Sequence, residues 1–133
     1  MTPEEIKART KAFALRVIRL VEALPPGKAS NIIGTQLGRA ATSVGANYRA
    51  ACRARSRRDF ISKMGLVEEG SDESGFWLEL LAESRVVKPE RLSALMKEAE
   101  ELLSIAVASI RTARGRDERK PKRKPARNGR ASL

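Results

Sequence analysis

The chain has 133 residues and carries 27 Lys and Arg against 16 Asp and Glu, a formal net charge of +11 that favours a polyanionic partner. It contains no histidine, which excludes the most common general base near neutral pH, histidine metal sites and nucleophile pairs of the Ser–His and Cys–His kinds. The single cysteine, Cys52, excludes an internal disulfide, and no apolar run follows Met1. We therefore expect one cytoplasmic domain that contacts no membrane, takes no cofactor and is not an enzyme.

The first helix is predicted to begin at Pro3, with Thr2 as its N-cap and with acidic residues favourable to the helix dipole in its first turn. It runs to about Leu24, and the Pro-Pro-Gly sequence at 25–27 ends it. Its apolar face carries Ile6, Phe13, Val17, Leu20 and Leu24.

The second helix is predicted from a cap at Ser30 or Asn31 to about Arg55. Its apolar face carries Ile33, Leu37, Ala40, Val44 and Tyr48. Small residues are frequent along it, at Gly34, Gly38, Ala41, Gly45 and Ala46. Another helix backbone can therefore approach this helix closely, either from a second copy or from within the same bundle.

Ser56 is the predicted N-cap of a third helix that runs to about Ser84. Its apolar positions are Phe60, Met64, Val67, Ser71, Leu78 and Leu81. Gly65, Gly70 and Gly75 each lower its intrinsic helix propensity by about 1 kcal/mol relative to alanine, so packing has to hold it.

The fourth helix follows a break at residues 86–89 and is predicted to end near Ala113. Its heptad-like apolar stripe consists of Leu92, Leu95, Met96, Ala99, Leu102, Ala106 and Ile110. Four helices of similar length with short connections predict an all-α, antiparallel up-down bundle over residues 1–113.

Residues 114–133 form a strongly basic tail, with nine Lys and Arg against Asp117 and Glu118, a net charge of +7. The tail has almost no apolar side chains, and Pro121, Pro125 and Gly129 interrupt any helix. We predict that it is disordered. It either contacts a polyanion or is a solubilising extension without a partner of its own.

Charge is also segregated within the predicted bundle. Residues 28–58 hold seven basic side chains and no acid, whereas residues 59–101 hold eleven acids and five bases. Arg49, Arg53, Arg57 and Arg58 could meet the acids of the third helix either across one bundle or between copies in a closed ring. Arg39, Ser43 and Asn47 follow each other at helical spacing, as an exposed stripe or as a network that reaches those acids.

Three sequence elements carry a family resemblance: Ser-x-Gly-Ala-Asn at 43–47, Asp-Phe at 59–60 and Asp-Glu-Ser-x-x-Trp-Leu-Glu-Leu at 72–80. In this order and spacing, the chain resembles the four-helix-bundle proteins encoded by intervening sequences in bacterial large-subunit ribosomal RNA genes. The resemblance covers about residues 5–112. The basic tail is outside it.

The resemblance implies an antiparallel bundle that assembles as a homopentamer. It also implies similarity to the accessory protein of diversity-generating retroelements, which binds nucleic acid and a reverse transcriptase. The positions that carry over are Arg39, Ser43, Asn47, Phe60, Glu69, Glu73 and Trp77, none of them catalytic. Trp77, beside Phe76, is either an anchor at an interface between copies or part of the core.

Our hypothesis from the sequence is an oligomeric protein that contacts RNA or DNA phosphates without reading bases. The alternative is a scaffold that docks a partner protein, such as a reverse transcriptase, and has no direct role with nucleic acid. The residues predicted to contact phosphates are Arg49, Arg53, Arg55, Arg57, Arg58, Arg114, Arg116, Arg119, Lys120, Lys122, Arg123, Lys124, Arg127 and Arg130.

Overall fold

The computed structural model describes residues 1–119, with side chains described as far as residue 115. The chain folds into four helices: α1 (Pro3–Glu22), α2 (Lys28–Cys52), α3 (Arg57–Glu83) and α4 (Pro89–Arg119). Helices α1 and α2 are antiparallel, because Gly45 lies against Thr10 while Gly34 lies against Val21. The predicted all-α four-helix bundle is confirmed.

The core is formed by the apolar faces that the helical spacing predicts. Helix α2 packs extensively against α3, α3 packs against α4, and α1 packs mainly against α2 and only lightly against α4. Buried core side chains come from all four helices: Phe13, Val17, Leu37, Val44, Met64, Leu78, Leu81, Leu92 and Leu102. Their removal from water drives the folding of the bundle.

Two of the predicted helix caps are confirmed. The Thr2 hydroxyl accepts a hydrogen bond from the Glu5 amide at 3.1 Å, and the Thr2 amide donates to the Glu5 carboxylate at 3.0 Å. This capping box lowers the pKa of the Glu5 carboxyl through the hydrogen bonds with Thr2. At α3, the Ser56 hydroxyl accepts from the Asp59 amide at 3.0 Å.

The predicted ends of α1 and α2 are corrected. Helix α1 ends at Glu22, just before the predicted Leu24. Helix α2 begins at Lys28, because Gly27 adopts φ 149°, a conformation unfavourable for other residues, and its carbonyl accepts from the Asn31 amide at 3.0 Å. Helix α2 also ends at Cys52 instead of about Arg55, since the chain must become extended to place Ser56 as the cap of α3.

The predicted end of α4 near Ala113 is also wrong, because this helix continues to Arg119. Residues 114–119 contain one glycine and no proline, and Arg and Glu favour helix. The boundary predicted between bundle and tail therefore falls inside a helix. The disorder predicted for residues 120–133 lies outside the described residues.

Helices α2 and α3 approach each other closely at Gly70. A Cβ atom at this position would lie 2.6 Å from the Ser43 Oγ and 3.1 Å from the Ala40 carbonyl oxygen. Two buried serines on the same part of α3, Ser71 and Ser74, donate their hydroxyls to carbonyls of their own helix at 2.8 and 2.7 Å. Small residues here serve packing within one bundle.

A cluster of three charged residues joins α1 to α4. Arg9 donates two hydrogen bonds to the Glu98 carboxylate, at 2.7 and 2.8 Å, and also bonds to Glu101. The side chains of Arg9 and Glu98 are only 24% and 16% exposed. The hydrogen bonds with Glu98 raise the pKa of the Arg9 guanidinium further above its ordinary value, so the cluster holds this lightly packed seam.

None of the helices within residues 1–119 combines the length and the apolar character needed to span a membrane.

Candidate nucleic-acid interface

The turn between α2 and α3 brings the predicted arginines of this region together. Arg49 lies in the last turn of α2 and Arg53 is its C-cap, while Arg55 lies in the connection and Arg57 and Arg58 open α3. All are exposed except Arg57, which is half-buried. The α3 N-terminus adds the positive end of a helix dipole, so this end of the bundle attracts anions.

A groove between α1 and α2 extends this basic end. The cations Lys7 and Lys11 of α1 and Arg49 of α2 line it, and its volume is about 620 Å³. Its floor consists of small side chains: Ala8, Ala14, Gly45 and Ala46. We call it the basic groove. Both helices carry little side chain here, so the groove is open between the cations.

The basic groove offers cationic side chains and few other hydrogen-bond donors. The Thr10 hydroxyl donates to the Lys7 carbonyl at 3.1 Å, and the Thr42 hydroxyl donates to the Gly38 carbonyl at 2.8 Å, so neither proton faces the groove. Lys7 also lies 3.4 Å from the exposed Glu4 carboxylate. Such a surface suits phosphate groups, and it lacks the aromatic side chains that stack on bases.

Lys7 and Lys11 are not among the residues predicted from the sequence to contact phosphates. They lie far from the arginine-rich run in sequence, and only the antiparallel pairing of α1 with α2 places them opposite Arg49. A local signal exists, because the two lysines are one helical turn apart and flank Ala8.

The polar stripe of α2 lies partly at its surface. Arg39 is exposed, the Ser43 hydroxyl donates to the Ala40 carbonyl at 2.7 Å, and the Asn47 amide donates to the Ser43 carbonyl at 2.9 Å. In the described part of the chain, these hydrogen bonds remain within α2. Among the acids of α3 that the stripe would reach in the network alternative, Glu69 and Glu73 are exposed.

The two adjacent aromatic residues of α3 have different environments. Trp77 packs against the core, and its buried Nε1 atom has no hydrogen-bond partner among the described residues. Phe76 is 50% exposed and meets the Trp77 ring edge to face, with centroids 5.0 Å apart. Of the two, Phe76 presents the larger apolar surface to a partner.

The predicted binding residues of the tail divide into two groups. Arg114 is exposed on α4, and Arg116 and Arg119 lie in the final turns of that helix. The remaining residues of this prediction lie outside the described part of the chain: Lys120, Lys122, Arg123, Lys124, Arg127 and Arg130.

Most charges of α2 and α3 remain unpaired within the described bundle. Among residues 1–115, the ion pairs join Lys7 to Glu4 and Arg9 to Glu98 and Glu101. Arg49, Arg53 and Arg58 form no ion pair there, and neither do the acids of α3. Arg49, Arg53, Arg58 and the acids of α3 are therefore open to a partner.

Comparison with known proteins places the chain in a family. A family model described as 23S rRNA-intervening sequence protein matches residues 4–108. A crystal structure of a protein of unknown function from the S23 ribosomal protein family of Bacteroides thetaiotaomicron VPI-5482 has the same fold, with a TM-score of 0.77. The two sequences are 29% identical, and the match covers 84% of this chain and 99% of that one. Among curated proteins, no match was found.

Proposed function

Because this chain belongs to the 23S rRNA-intervening sequence protein family, we propose that it is a non-enzymatic accessory protein that binds the phosphates of RNA or DNA. One observation carries the proposal. The cations of three helices meet at one end of the bundle, where Lys7 and Lys11 face Arg49 across the basic groove and the arginines of the α2–α3 turn continue it.

Binding at this surface is electrostatic and independent of base sequence. Lysine and arginine side chains displace the counterions of the nucleic acid, and the release of these ions contributes much of the free energy of binding. The groove contains no aromatic ring and no free hydroxyl donor, so it offers little to base edges. The basic tail adds further cations to the same chain.

We expect R49Q/R53Q/R58Q to weaken binding to single-stranded RNA. Each lost phosphate contact lowers the slope of log affinity against log salt concentration by about 0.7, so three lost contacts lower it by about 2. Fluorescence anisotropy of a labelled RNA between low and high salt measures this slope. The matched control is R16Q/R19Q/R91Q, which removes the same charge from exposed positions away from the basic end of the bundle. Equal effects of the two variants, or salt-insensitive binding by the unmodified chain, would contradict the proposal.

We further propose that the protein acts as a homo-oligomer, and the family resemblance implies a pentamer. In this arrangement α2 of one copy lies against α3 of the next. Exposed charges of opposite sign on the two helices, Arg39 on α2 and Glu69 on α3, support it. Exposed aliphatic side chains on both helices support it as well, Ile32 at 63% and Leu66 at 41%. A heterologous contact of this kind closes into a ring at a fixed rotation.

Native mass spectrometry tests the assembly. We expect a species of about five times the protomer mass of 14.6 kDa. The substitution Ile32→Glu should shift the population towards smaller species, because it places a charge on an apolar contact. The control Ala29→Glu changes an exposed residue on the same helix. A purely monomeric protein at micromolar concentration would disprove the ring.

A second candidate function is a scaffold that docks a partner protein, such as a reverse transcriptase. The exposed Phe76 favours it, because a half-exposed ring on a rigid helix is a common anchor in protein interfaces. Affinity purification with and without nuclease separates the two functions. Recovery of one stoichiometric protein partner after nuclease treatment, abolished by Phe76→Ala, supports the scaffold, whereas loss of every partner on nuclease treatment contradicts it.

A further inference from the structure

A second groove lies between α3 and α4 and has the opposite charge. Four carboxylates form its rim and two apolar side chains form part of its floor, within a volume of about 450 Å³. The rim residues are Asp72, Glu73, Glu79 and Glu100, and the floor residues are Phe76 and Met96. We call it the acidic groove.

No lysine or arginine of the described residues lines the acidic groove. In the part of the chain that the structure describes, none of its four carboxylates forms an ion pair. Its floor is open as well, since a Cβ atom added at Gly75 would meet nothing within 4 Å and Phe76 is half-exposed. The groove therefore combines unneutralised negative charge with apolar surface in contact with water.

We propose that the C-terminal segment of this same chain, residues 120–133, binds in the acidic groove. The segment contains six basic residues and no acid: Lys120, Lys122, Arg123, Lys124, Arg127 and Arg130. Lysine and arginine have apolar stems and cationic ends, so they can cover Met96 with the stem while the charged end meets the rim. An arginine can also lie over the Phe76 ring, which attracts cations to its face.

The segment is long enough to reach the groove. Helix α4 carries the chain from Glu100 to Arg119, an axial distance of about 28 Å at 1.5 Å per residue. The 14 residues after Arg119 span up to about 46 Å when extended. The chain can therefore return alongside α4 and cover the groove with several residues to spare.

Each charge pair contributes little to the free energy of binding, whereas the attached segment as a whole is held more tightly. Exposed ion pairs contribute little one at a time, but a covalently attached segment is present at an effective concentration in the millimolar range. The consequence is competition, because a polyanion and the acidic groove require the same cations. The groove would hold the segment until nucleic acid displaces it, and would lower the affinity of the free protein for weak or short polyanions.

Carbodiimide cross-linking of the full chain tests the contact directly. This reagent joins an amine to a carboxylate that touches it. Only residues from about Arg127 onward lie far enough from Arg119 along the chain to reach the level of Glu100. In the R127K/R130K variant we therefore expect links from the amines introduced at positions 127 and 130 to the four rim carboxylates, mapped by mass spectrometry. The exposed acids Glu22, Glu83 and Glu90 outside the groove are internal controls. Links spread evenly over all exposed acids, or absent from the rim, would overturn the proposal. Because no nucleic acid is present, this result does not depend on the proposed function.

Light and heavy nitrogen-labelled proteins, unfolded together and refolded as a mixture so that any oligomer contains both labels, identify the source of the segment. Links within one isotope class at all protein concentrations show that the segment folds back on its own bundle. Links that mix the two classes and increase with concentration would show that a second copy occupies the groove, and would overturn the intramolecular contact.

A variant pair tests the competition. Both E73Q/E79Q/E100Q and the control E22Q/E83Q/E90Q make the protein more positive by three charges. We expect the groove variant to bind a short single-stranded RNA about 10-fold more tightly than the control, because it also releases the segment, and about 1.4 kcal/mol corresponds to that factor. Equal affinities would contradict the competition even if the cross-links are found.

Discussion

Replacing Gly70 with alanine is expected to lower the free energy of unfolding by about 1–3 kcal/mol, although alanine is the better helix former. The added Cβ would lie 2.6 Å from the Ser43 Oγ and 3.1 Å from both the Ala40 carbonyl oxygen and the Val44 Cγ2. The serine hydroxyl can rotate away, but the carbonyl belongs to the α2 backbone and cannot move without separating the two helices. Chemical denaturation monitored by circular dichroism measures the change.

Two glycines of the same helix are matched controls. At Gly65 and Gly75 an added Cβ meets nothing within 4 Å. Alanine at either position is therefore expected to raise the free energy of unfolding by about 0.5–1 kcal/mol, as in other exposed helix interiors. The double substitution S43A/G70A should recover part of the loss at Gly70. A stabilising effect of all three glycine substitutions would show that α2 and α3 are not in close contact.

Replacing Arg9 with methionine is expected to lower the free energy of unfolding by about 2 kcal/mol, which lies between the values for breaking exposed and buried ion pairs. The guanidinium is held by Glu98 and Glu101, and removing it leaves a mostly buried Glu98 carboxylate without its cation. Methionine keeps much of the apolar stem, so the loss reports the charge contacts and not a cavity. Thermal and denaturant unfolding both measure it.

The Lys7–Glu4 pair supplies the comparison for Arg9. Lys7→Met removes a cation from an exposed pair on the same helix, and we expect the free energy of unfolding to change by no more than about 0.5 kcal/mol. Replacing Glu98 with glutamine in the Arg9→Met background should restore part of the lost stability, because no buried charge is then left alone. Equal effects of the substitutions at Lys7 and Arg9 would mean that the cluster does not hold the seam between α1 and α4.

Local sequence signals predicted much of the fold. Thr2 and Ser56 are caps in the structure because a hydroxyl before a helix can accept from the third residue of that helix, a contact independent of the rest of the chain. The start of α2 could not be predicted in this way. It depends on the backbone conformation of Gly27, which allows the helix to begin before the better capping residues Ser30 and Asn31.

Only part of the candidate site could be predicted from the sequence, because the rest depends on how the helices pack against one another. The arginine-rich run around Arg53 is visible in the sequence, because its members are neighbours along the chain. The basic groove cannot be recognised in the sequence, since it exists only where α1 lies antiparallel to α2 with Thr10 beside Gly45. The acidic groove likewise combines side chains of α3 with Met96 and Glu100 of α4, so composition alone could not separate a solvated acidic face from a groove.

The light packing between α1 and α4 makes α1 the helix that the bundle can release at the lowest free-energy cost. Helix α3 packs extensively against both α2 and α4, whereas α1 depends on α2 and on the Arg9 cluster. Local opening would then detach α1 as one cooperative unit. Because α1 carries Lys7 and Lys11, such a fluctuation would dismantle one wall of the basic groove, and a polyanion bound across α1 and α2 would in turn suppress the opening.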